Sequence, residues 1–222
     1  MTSTLAGEGK TFCTVNYAAS LALQGLRTLV IDCDLRRPVL EEVIYGERKD
    51  LPGVADYLSG GQLNFHRTRI ENLYFVPAGT AAANASELLA WSGLKGLLNE
   101  TLDQFDRVVV DSAPIFGVSD TLRLVKDVDA VCLVVLAGKT PRKLATRCLQ
   151  LLNRAGAPVD GIILNAVRDS LRSAYDNPFY DYGYYAATPR KHCPRVPGTL
   201  PTPLHVSKSV VRVHDDLADG KR

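Results

Sequence analysis

A short segment near the amino terminus combines the residue types that bind phosphate groups. Gly7, Gly9, Lys10 and Thr11 lie within the sequence GEGKT. Glycines allow backbone N–H groups to approach an anion, a lysine neutralises terminal phosphates, and the hydroxyl that follows binds Mg²⁺. Thr4 stands where the pattern G-x-x-x-x-G-K-[ST] has its first glycine. The segment therefore predicts a phosphate-binding loop, and the alternative is a chance match in an ordinary loop.

Three aspartates follow two apolar runs further along the chain. Asp32 and Asp34 come at the end of the run 28–32, and Asp111 ends the run 107–111. A spacing of two in a strand points both side chains to one face, and the carboxyl ends of parallel strands lie beside a phosphate loop. The three carboxylates predict a Mg²⁺ site with capacity left for a general base. The alternative is that these aspartates only cap loops.

A tyrosine cluster lies towards the other end of the chain. Five of the nine tyrosines fall between positions 175 and 185, where no core-forming pattern exists. We expect them to be phosphate acceptors for a kinase that acts on itself: Tyr175, Tyr180, Tyr182, Tyr184 and Tyr185. The alternation of three of them also fits one face of an edge strand. Pro178 and Gly183 argue against that alternative, because both residues are poor strand formers.

The order of apolar and amphipathic segments indicates the fold that must position these groups. Continuous apolar runs, typical of strands covered on both faces, occupy 28–32, 73–77, 107–111, 130–136 and 161–165. Helical patterns occupy 12–24, 86–102, 119–128 and 141–155. We expect Ser86 and Ser119 to be N-caps and Pro141 to lie in a first helical turn. The alternation predicts an α/β fold with a mostly parallel sheet and helices on both faces.

The amino terminus is short for this fold. Only three residues precede Thr4, although the strand before a phosphate loop is normally central in the sheet. We therefore expect the first strand to be truncated or missing, and the sequence to be a fragment or to have a misassigned start.

Composition favours one globular domain followed by a tail. The chain has 222 residues, of which 46% are hydrophobic and 23% charged. We expect a nucleotide-binding domain at 1–170, an acceptor segment at 171–185 and a basic, proline-rich, disordered tail at 186–222. A plain solvated tail and contact with anionic lipid are both open for that last segment. The formal charge of +2 is too small to predict nucleic-acid binding.

Cysteine usage and hydropathy indicate the compartment. The five cysteines form no C-x-x-C pair and mostly lie in apolar runs, which predicts buried thiols in a reducing cytoplasm. No apolar stretch approaches the roughly 20 residues of a membrane span. A link to the membrane is expected through a partner or an upstream segment.

Together these motifs resemble the bacterial tyrosine kinases (BY-kinases) of capsular and exopolysaccharide biosynthesis, within the P-loop NTPase superfamily. The resemblance rests on GEGKT, on the blocks 28–38 and 107–114, on NASELL at 84–89 and on the strand pattern at 156–165. It extends from Thr2 to about Tyr185.

The resemblance implies a role for each matching position in a protein-tyrosine kinase that uses ATP and Mg²⁺. The implied catalytic residues are Lys10, Asp32 and Asp34, with Asp32 as the base for the tyrosine hydroxyl. The implied metal ligands are Thr11, Asp32 and Asp111. The implied nucleotide contacts are Gly7, Glu8, Gly9, Lys10, Thr11, Phe12 and Asn165, with Asn165 facing the adenine. Arg36 and Arg37 are expected either to contact phosphates or to be solvated.

The resemblance also implies partners and distinguishes a rival family. It implies a homo-oligomer that phosphorylates itself in trans, a membrane polysaccharide co-polymerase adaptor module, a tyrosine phosphatase and a location at the inner face of the plasma membrane. The rival is the ParA/MinD class of ATPases, which dimerise on ATP. Those proteins carry an extra lysine five positions before the loop lysine, where this chain has Leu5. The leucine and the tyrosine cluster favour the kinase.

Overall fold

The computed structural model describes residues 1–80, 93–117 and 120–167. The expected caps Ser86 and Ser119, the segment 84–89, the tyrosine cluster and the basic tail lie outside these residues. The strands are β1 Thr2–Ser3, β2 Thr28–Cys33, β3 His66–Arg67, β4 Leu73–Val76, β5 Arg107–Ser112, β6 Cys132–Leu136 and β7 Gly161–Asn165. The helices are α1 Lys10–Leu23, α2 Leu40–Tyr45, α3 Val54–Leu58, α4 Gly93–Leu102, α5 Asp120–Leu124 and α6 Arg142–Arg154. A 3₁₀ turn, Val125–Asp127, follows α5.

The strands form two ladders that meet at the amino terminus. One has the order β3-β4-β2-β5 and the other β1-β6-β7, and every pair is parallel except β3 with β4. The Ser112 N–H donates to the Met1 carbonyl at 3.2 Å, and the Met1 amino group donates to the Val110 carbonyl at 2.5 Å. The first strand, which was expected to be truncated or missing, is therefore present but short. Thr2 and Ser3 pair with β6 on one side, while Met1 bonds to β5 on the other.

Helices cover both faces of the ladder that contains β2. Leu29 and Ile31 pack on the side of α3 and α4, whereas Val30 packs on the side of α1 and α2. All six residues of β2 are buried, which explains its continuous apolar sequence. Ala18 and Ala22 are buried on α1, where small side chains let the helix approach the strands closely. The predicted α/β architecture is confirmed.

Several local predictions differ from the structure. Pro141 lies before the helix and not in its first turn: its ψ is 131°, and its carbonyl accepts the N–H groups of Leu144 and Ala145. Strand β7 was expected to be covered on both faces, yet Leu164 is 57% exposed, and β7 is the last strand of its ladder among the described residues. Cys33 and Cys148 are buried as expected, but Cys13 and Cys132 are half-buried.

No helix in the described part of the chain is both long and apolar enough to cross a lipid bilayer.

Candidate nucleotide-binding and phosphoryl-transfer site

The phosphate loop joins β1 to the first turn of α1. Gly7 and Gly9 have φ angles of 81° and 85°, a left-handed conformation that glycine adopts without steric cost. A Cβ atom on Gly9 would lie 2.0 Å from Nδ2 of Asn165. Gly9 is therefore required for its backbone conformation and for the close approach of β7. Helix α1 starts at Lys10, so its unpaired N–H groups and positive dipole end face the loop.

Asp111 gathers the polar side chains at the start of α1. Its Oδ1 lies 2.7 Å from Nζ of Lys10, with side-chain exposures of only 7% for the lysine and 1% for the aspartate. Thr11 donates its hydroxyl to Oδ2 at 2.6 Å, and Thr14 donates to Oδ1 at 2.9 Å. The structure thus brings together Lys10, Thr11 and Asp111 as the sequence predicts. Thr14 was not predicted, because a threonine inside an amphipathic helix carries no distinguishing pattern.

Asp32 lies at the carboxyl end of β2, in register with Asp111 on β5. Its Oδ1 accepts the N–H of Asp34 at 3.0 Å, and its Oδ2 accepts the N–H of Leu40 at 3.2 Å. Burial raises the pKa of Asp32 to about 7, and the negative charge of Asp111 adds to the increase. A carboxylate with this pKa can exchange a proton near neutral pH, which is the property required of a general base.

Asp34 lies in the turn that follows β2. Its Oδ1 accepts the N–H of Arg37 at 3.2 Å, and the residue is 8% exposed. Burial raises the pKa of Asp34, and the nearby charge of Lys10 opposes that increase. Because β2 ends at Cys33 and the chain turns there, strand alternation does not set the direction of Asp34. Arg36 and Arg37 are exposed.

Glu8, Phe12 and Asn165, the remaining implied nucleotide contacts, occupy different positions around the loop. The carboxylate of Glu8 accepts backbone N–H groups of the loop itself, and Phe12 is 45% exposed on the first turn of α1. Asn165 donates Nδ2 to the Glu8 carbonyl at 2.9 Å, and its Oδ1 accepts the N–H of Ala166. Asn165 therefore contacts the loop, and its role towards an adenine stays a prediction.

The loop fits a nucleotide phosphate, and two of its polar groups fit Mg²⁺. Lys10 and the N–H groups at the start of α1 supply positive charge and donors for phosphate oxygens. The Thr11 hydroxyl and the Asp111 carboxylate are oxygen ligands, which Mg²⁺ prefers. Within residues 1–80, 93–117 and 120–167, no three His, Cys, Asp or Glu side chains cluster closely enough to hold a metal by themselves. Phosphate oxygens and water would have to complete the coordination.

The chain is similar to known nucleotide-binding proteins over most of its length. The family described as CobQ/CobB/MinD/ParA nucleotide binding domain matches residues 1–181. Tyrosine-protein kinase CpsD of Streptococcus pneumoniae is 32% identical over 188 residues, which are 83% of this chain and 80% of that protein. Tyrosine-protein kinase ptk of Acinetobacter johnsonii is 32% identical over 165 residues, which are 73% of this chain and 22% of that protein.

Solved structures give the same assignment. The VpsO kinase domain superposes with a TM-score of 0.71 at 37% identity, covering 75% of this chain and 83% of that one. MinD of Pyrococcus horikoshii, complexed with Mg-ADP, superposes with a TM-score of 0.59 at 21% identity, covering 72% of this chain and 65% of that one. This second likeness shows the shared fold alone. The chain belongs to the CobQ/CobB/MinD/ParA nucleotide-binding domain family and, within it, to the bacterial tyrosine kinases.

Proposed function

We propose that the chain is an ATP-dependent protein-tyrosine autokinase that regulates capsular or exopolysaccharide polymerisation and export. The observation that carries the proposal is the pairing of Asp32 with Asp111 beside Lys10. A buried carboxylate with a pKa near 7 lies in register with a second carboxylate that holds the loop lysine and the loop hydroxyl. One carboxylate is thus suited to proton transfer and the other to organising the phosphate site.

Each residue of the site has a distinct role in phosphoryl transfer. Mg-ATP, when bound, supplies the phosphoryl group and part of the charge neutralisation. Lys10 and the N–H groups of the loop hold the phosphate oxygens, and Thr11 with Asp111 would hold the metal. Asp32 would take the proton from the acceptor tyrosine hydroxyl as that oxygen bonds to the γ-phosphorus, while the bond from the γ-phosphorus to the bridging oxygen breaks and ADP leaves. Both oxygens of Asp32 accept one backbone N–H each, which leaves lone pairs free for that proton.

The proposed acceptors are the five clustered tyrosines, phosphorylated in trans within a homo-oligomer: Tyr175, Tyr180, Tyr182, Tyr184 and Tyr185. A tyrosine phosphatase would reverse the reaction, and a membrane adaptor would hold the chain at the inner face of the membrane. The relatives named tyrosine-protein kinase support the activity. The chain is also similar to the chimerical protein CapA2B2, with a TM-score of 0.69 at 26% identity.

An ATP-driven dimerisation switch of the ParA/MinD class is the alternative. That class is expected to carry a lysine where this chain has Leu5. The Leu5 side chain is 41% exposed, and its N–H donates to Glu8 at 2.9 Å. Nothing at this position supplies the positive charge that the switch requires, so the kinase is the better-supported function.

Phosphopeptide mass spectrometry of the purified chain after incubation with Mg-ATP tests the proposal. We expect phosphate on tyrosines between positions 175 and 185 in the unchanged protein, and its loss in Asp32→Asn. A Lys10→Met variant controls for a contaminating kinase. If the unchanged protein binds ATP but none of the five tyrosines carries phosphate, the kinase proposal is wrong and the switch is favoured.

A further inference from the structure

The carboxylate of Glu8 is buried inside the phosphate loop and has three hydrogen-bond donors. Its Oε2 accepts the N–H of Thr4 at 2.7 Å and the N–H of Leu5 at 2.9 Å. Its Oε1 accepts the hydroxyl of Thr140 at 2.5 Å. Glu8 is only 4% exposed. Hydroxyl bonds to a carboxylate are short and strong in such surroundings, so this contact ties two distant parts of the chain firmly together.

Thr140 lies in the turn between β6 and α6. Its hydroxyl oxygen accepts the N–H of Leu136, the last residue of β6, at 2.8 Å. Its own N–H donates to the Leu136 carbonyl at 3.0 Å. The Thr140 hydroxyl accepts the Leu136 N–H with a lone pair and donates its single hydrogen to Glu8, so it binds both groups at once. Thr140 therefore connects the end of β6 to the phosphate loop.

The Glu8 carboxylate determines which backbone N–H groups of the loop are available to an anion. The N–H groups of Thr4 and Leu5 are already bound by Glu8, so phosphate oxygens must be bound by the second half of the loop. That half leads into Lys10 and Thr11. Asn165 holds the same loop residue from the other side through the Glu8 carbonyl. The ends of β6 and β7 thus fix Glu8 at two points.

We propose that Thr140 is a positioning residue for the nucleotide: through Glu8 it holds the phosphate loop in the shape that binds the phosphates of ATP. Thr140 makes no contact with Lys10, Thr11, Asp32 or Asp111 among the bonds described above, so it acts only through the loop. Its effect on phosphoryl transfer rests on the proposed kinase function, whereas its effect on nucleotide binding does not.

Thr140→Val is the informative substitution, because valine matches threonine in shape and lacks the hydroxyl. It leaves Oε1 of Glu8 without its hydroxyl donor and the Leu136 N–H without its acceptor, and both of these bonds are partly buried. We expect the Kd for a fluorescent ATP analogue and the KM for Mg-ATP to rise about tenfold, which is the usual effect of losing one charge-assisted hydrogen bond. We expect kcat to change much less, and Thr140→Ser to restore binding because it keeps the hydroxyl.

Thr146→Val is the matched control. Thr146 is exposed on α6 of the same segment, and its hydroxyl donates to the Arg142 carbonyl at 3.0 Å. The substitution is chemically identical but has no connection with the loop. We expect Kd, KM and kcat of this variant to match those of the unchanged protein.

If Thr140→Val folds poorly, Glu8→Gln tests the same bond from its other partner and should also weaken analogue binding; where both variants fold, a double-mutant cycle shows whether their effects are coupled. The glutamine removes the charged acceptor, so removing the Thr140 hydroxyl in that background should weaken binding by much less than tenfold. Multiplicative effects of the two substitutions would overturn the proposal. So would a lower melting temperature for Thr140→Val with unchanged Kd and KM, because Thr140 would then be only structural.

The two proposals fail in different ways. If the unchanged protein forms no phosphotyrosine while Thr140→Val still weakens analogue binding, the kinase function is wrong and the positioning role stands. If phosphotyrosine forms and Thr140→Val binds the analogue as well as the unchanged protein does, the positioning role is wrong and the kinase function stands.

Discussion

Asp32 and Asp111 occupy equivalent places at the ends of adjacent strands, but their surroundings give them different chemistry. Asp111 has Lys10 at 2.7 Å and two threonine hydroxyls, so it has a positive partner and several donors. Asp32 has two backbone N–H donors and faces the negative charge of Asp111. Burial and the charge of Asp111 raise the pKa of Asp32, so Asp32 is the carboxylate of the two that is suited to take up a proton.

The pH dependence of the reaction follows from the raised pKa of Asp32. A base acts in its ionised form, so phosphotyrosine formation should rise with pH through about 7 and level off above it. Initial rates at saturating Mg-ATP, measured between about pH 6 and pH 8, test this expectation. Asp32→Asn should abolish both the activity and its increase with pH. A flat profile in an active protein would show that Asp32 is not the base.

The raised pKa of Asp32 also makes the free energy of unfolding depend on pH. The pKa of an aspartate in the unfolded chain is about 3.9, so between that pH and about 7 the folded chain keeps a proton that the unfolded chain has lost. The contribution of Asp32 to the free energy of unfolding therefore decreases as pH rises through this window and is constant above it. Urea denaturation at several pH values reports this slope.

At the level of elements, the junction between the phosphate loop and α1 depends on one glycine in contact with β7. Gly9 combines a φ of 85° with a site for Cβ that is only 2.0 Å from Asn165. Gly25, after the end of α1, has a nearly identical φ of 88°, and nothing lies within 4 Å of its Cβ site. The two positions therefore separate backbone strain from steric overlap.

Gly9→Ala and Gly25→Ala should differ sharply in nucleotide binding. Both place an alanine in the left-handed region, which costs roughly 1–2 kcal/mol of stability. Only Gly9→Ala also has to displace Asn165 and the loop, so we expect it to lose more stability and to bind ATP at least about tenfold more weakly. Thermal unfolding and titration with a fluorescent ATP analogue measure the two effects. Equal binding by both variants would contradict the role assigned to this junction.

Elements with a strong local signal were predictable from sequence, and those defined by distant contacts were not. Strand β2 is predictable because a strand buried on both faces must be apolar at every position. Helices α2 and α3 have only six and five residues, too few for a hydrophobic period to show. Within the site, GEGKT and the aspartates carry recognisable spacing. The bond between Glu8 and Thr140 joins residues 132 positions apart, and no local pattern reports it.

At the level of the whole molecule, the clustered tyrosines would couple catalysis to net charge. The chain has a formal charge of +2, and each phosphate adds about −1.5 to −2 at neutral pH. Five phosphates would therefore bring the chain to a net charge of about −5.5 to −8. Phosphorylated segments from neighbouring copies would repel each other within a closed assembly.

We expect incubation with Mg-ATP to dissociate the proposed homo-oligomer. Analytical ultracentrifugation before and after the reaction should show a shift towards smaller species. The shift should weaken below about pH 6, where each phosphate takes up a proton and loses its second negative charge. A variant with phenylalanine at the five tyrosine positions should stay assembled under the same conditions. Dissociation of that variant to the same extent would show that nucleotide, and not phosphate on tyrosine, opens the assembly.

The bond between Glu8 and Thr140 has a consequence for how this sequence can diverge. A hydroxyl at position 140 is useful to the loop only while position 8 carries a carboxylate, and the carboxylate is a buried, under-satisfied charge without the hydroxyl. Change at either position therefore alters which residues are tolerated at the other. In an evolving lineage we expect substitutions at positions 8 and 140 to occur together, because a substitution at one position changes which residues are tolerated at the other.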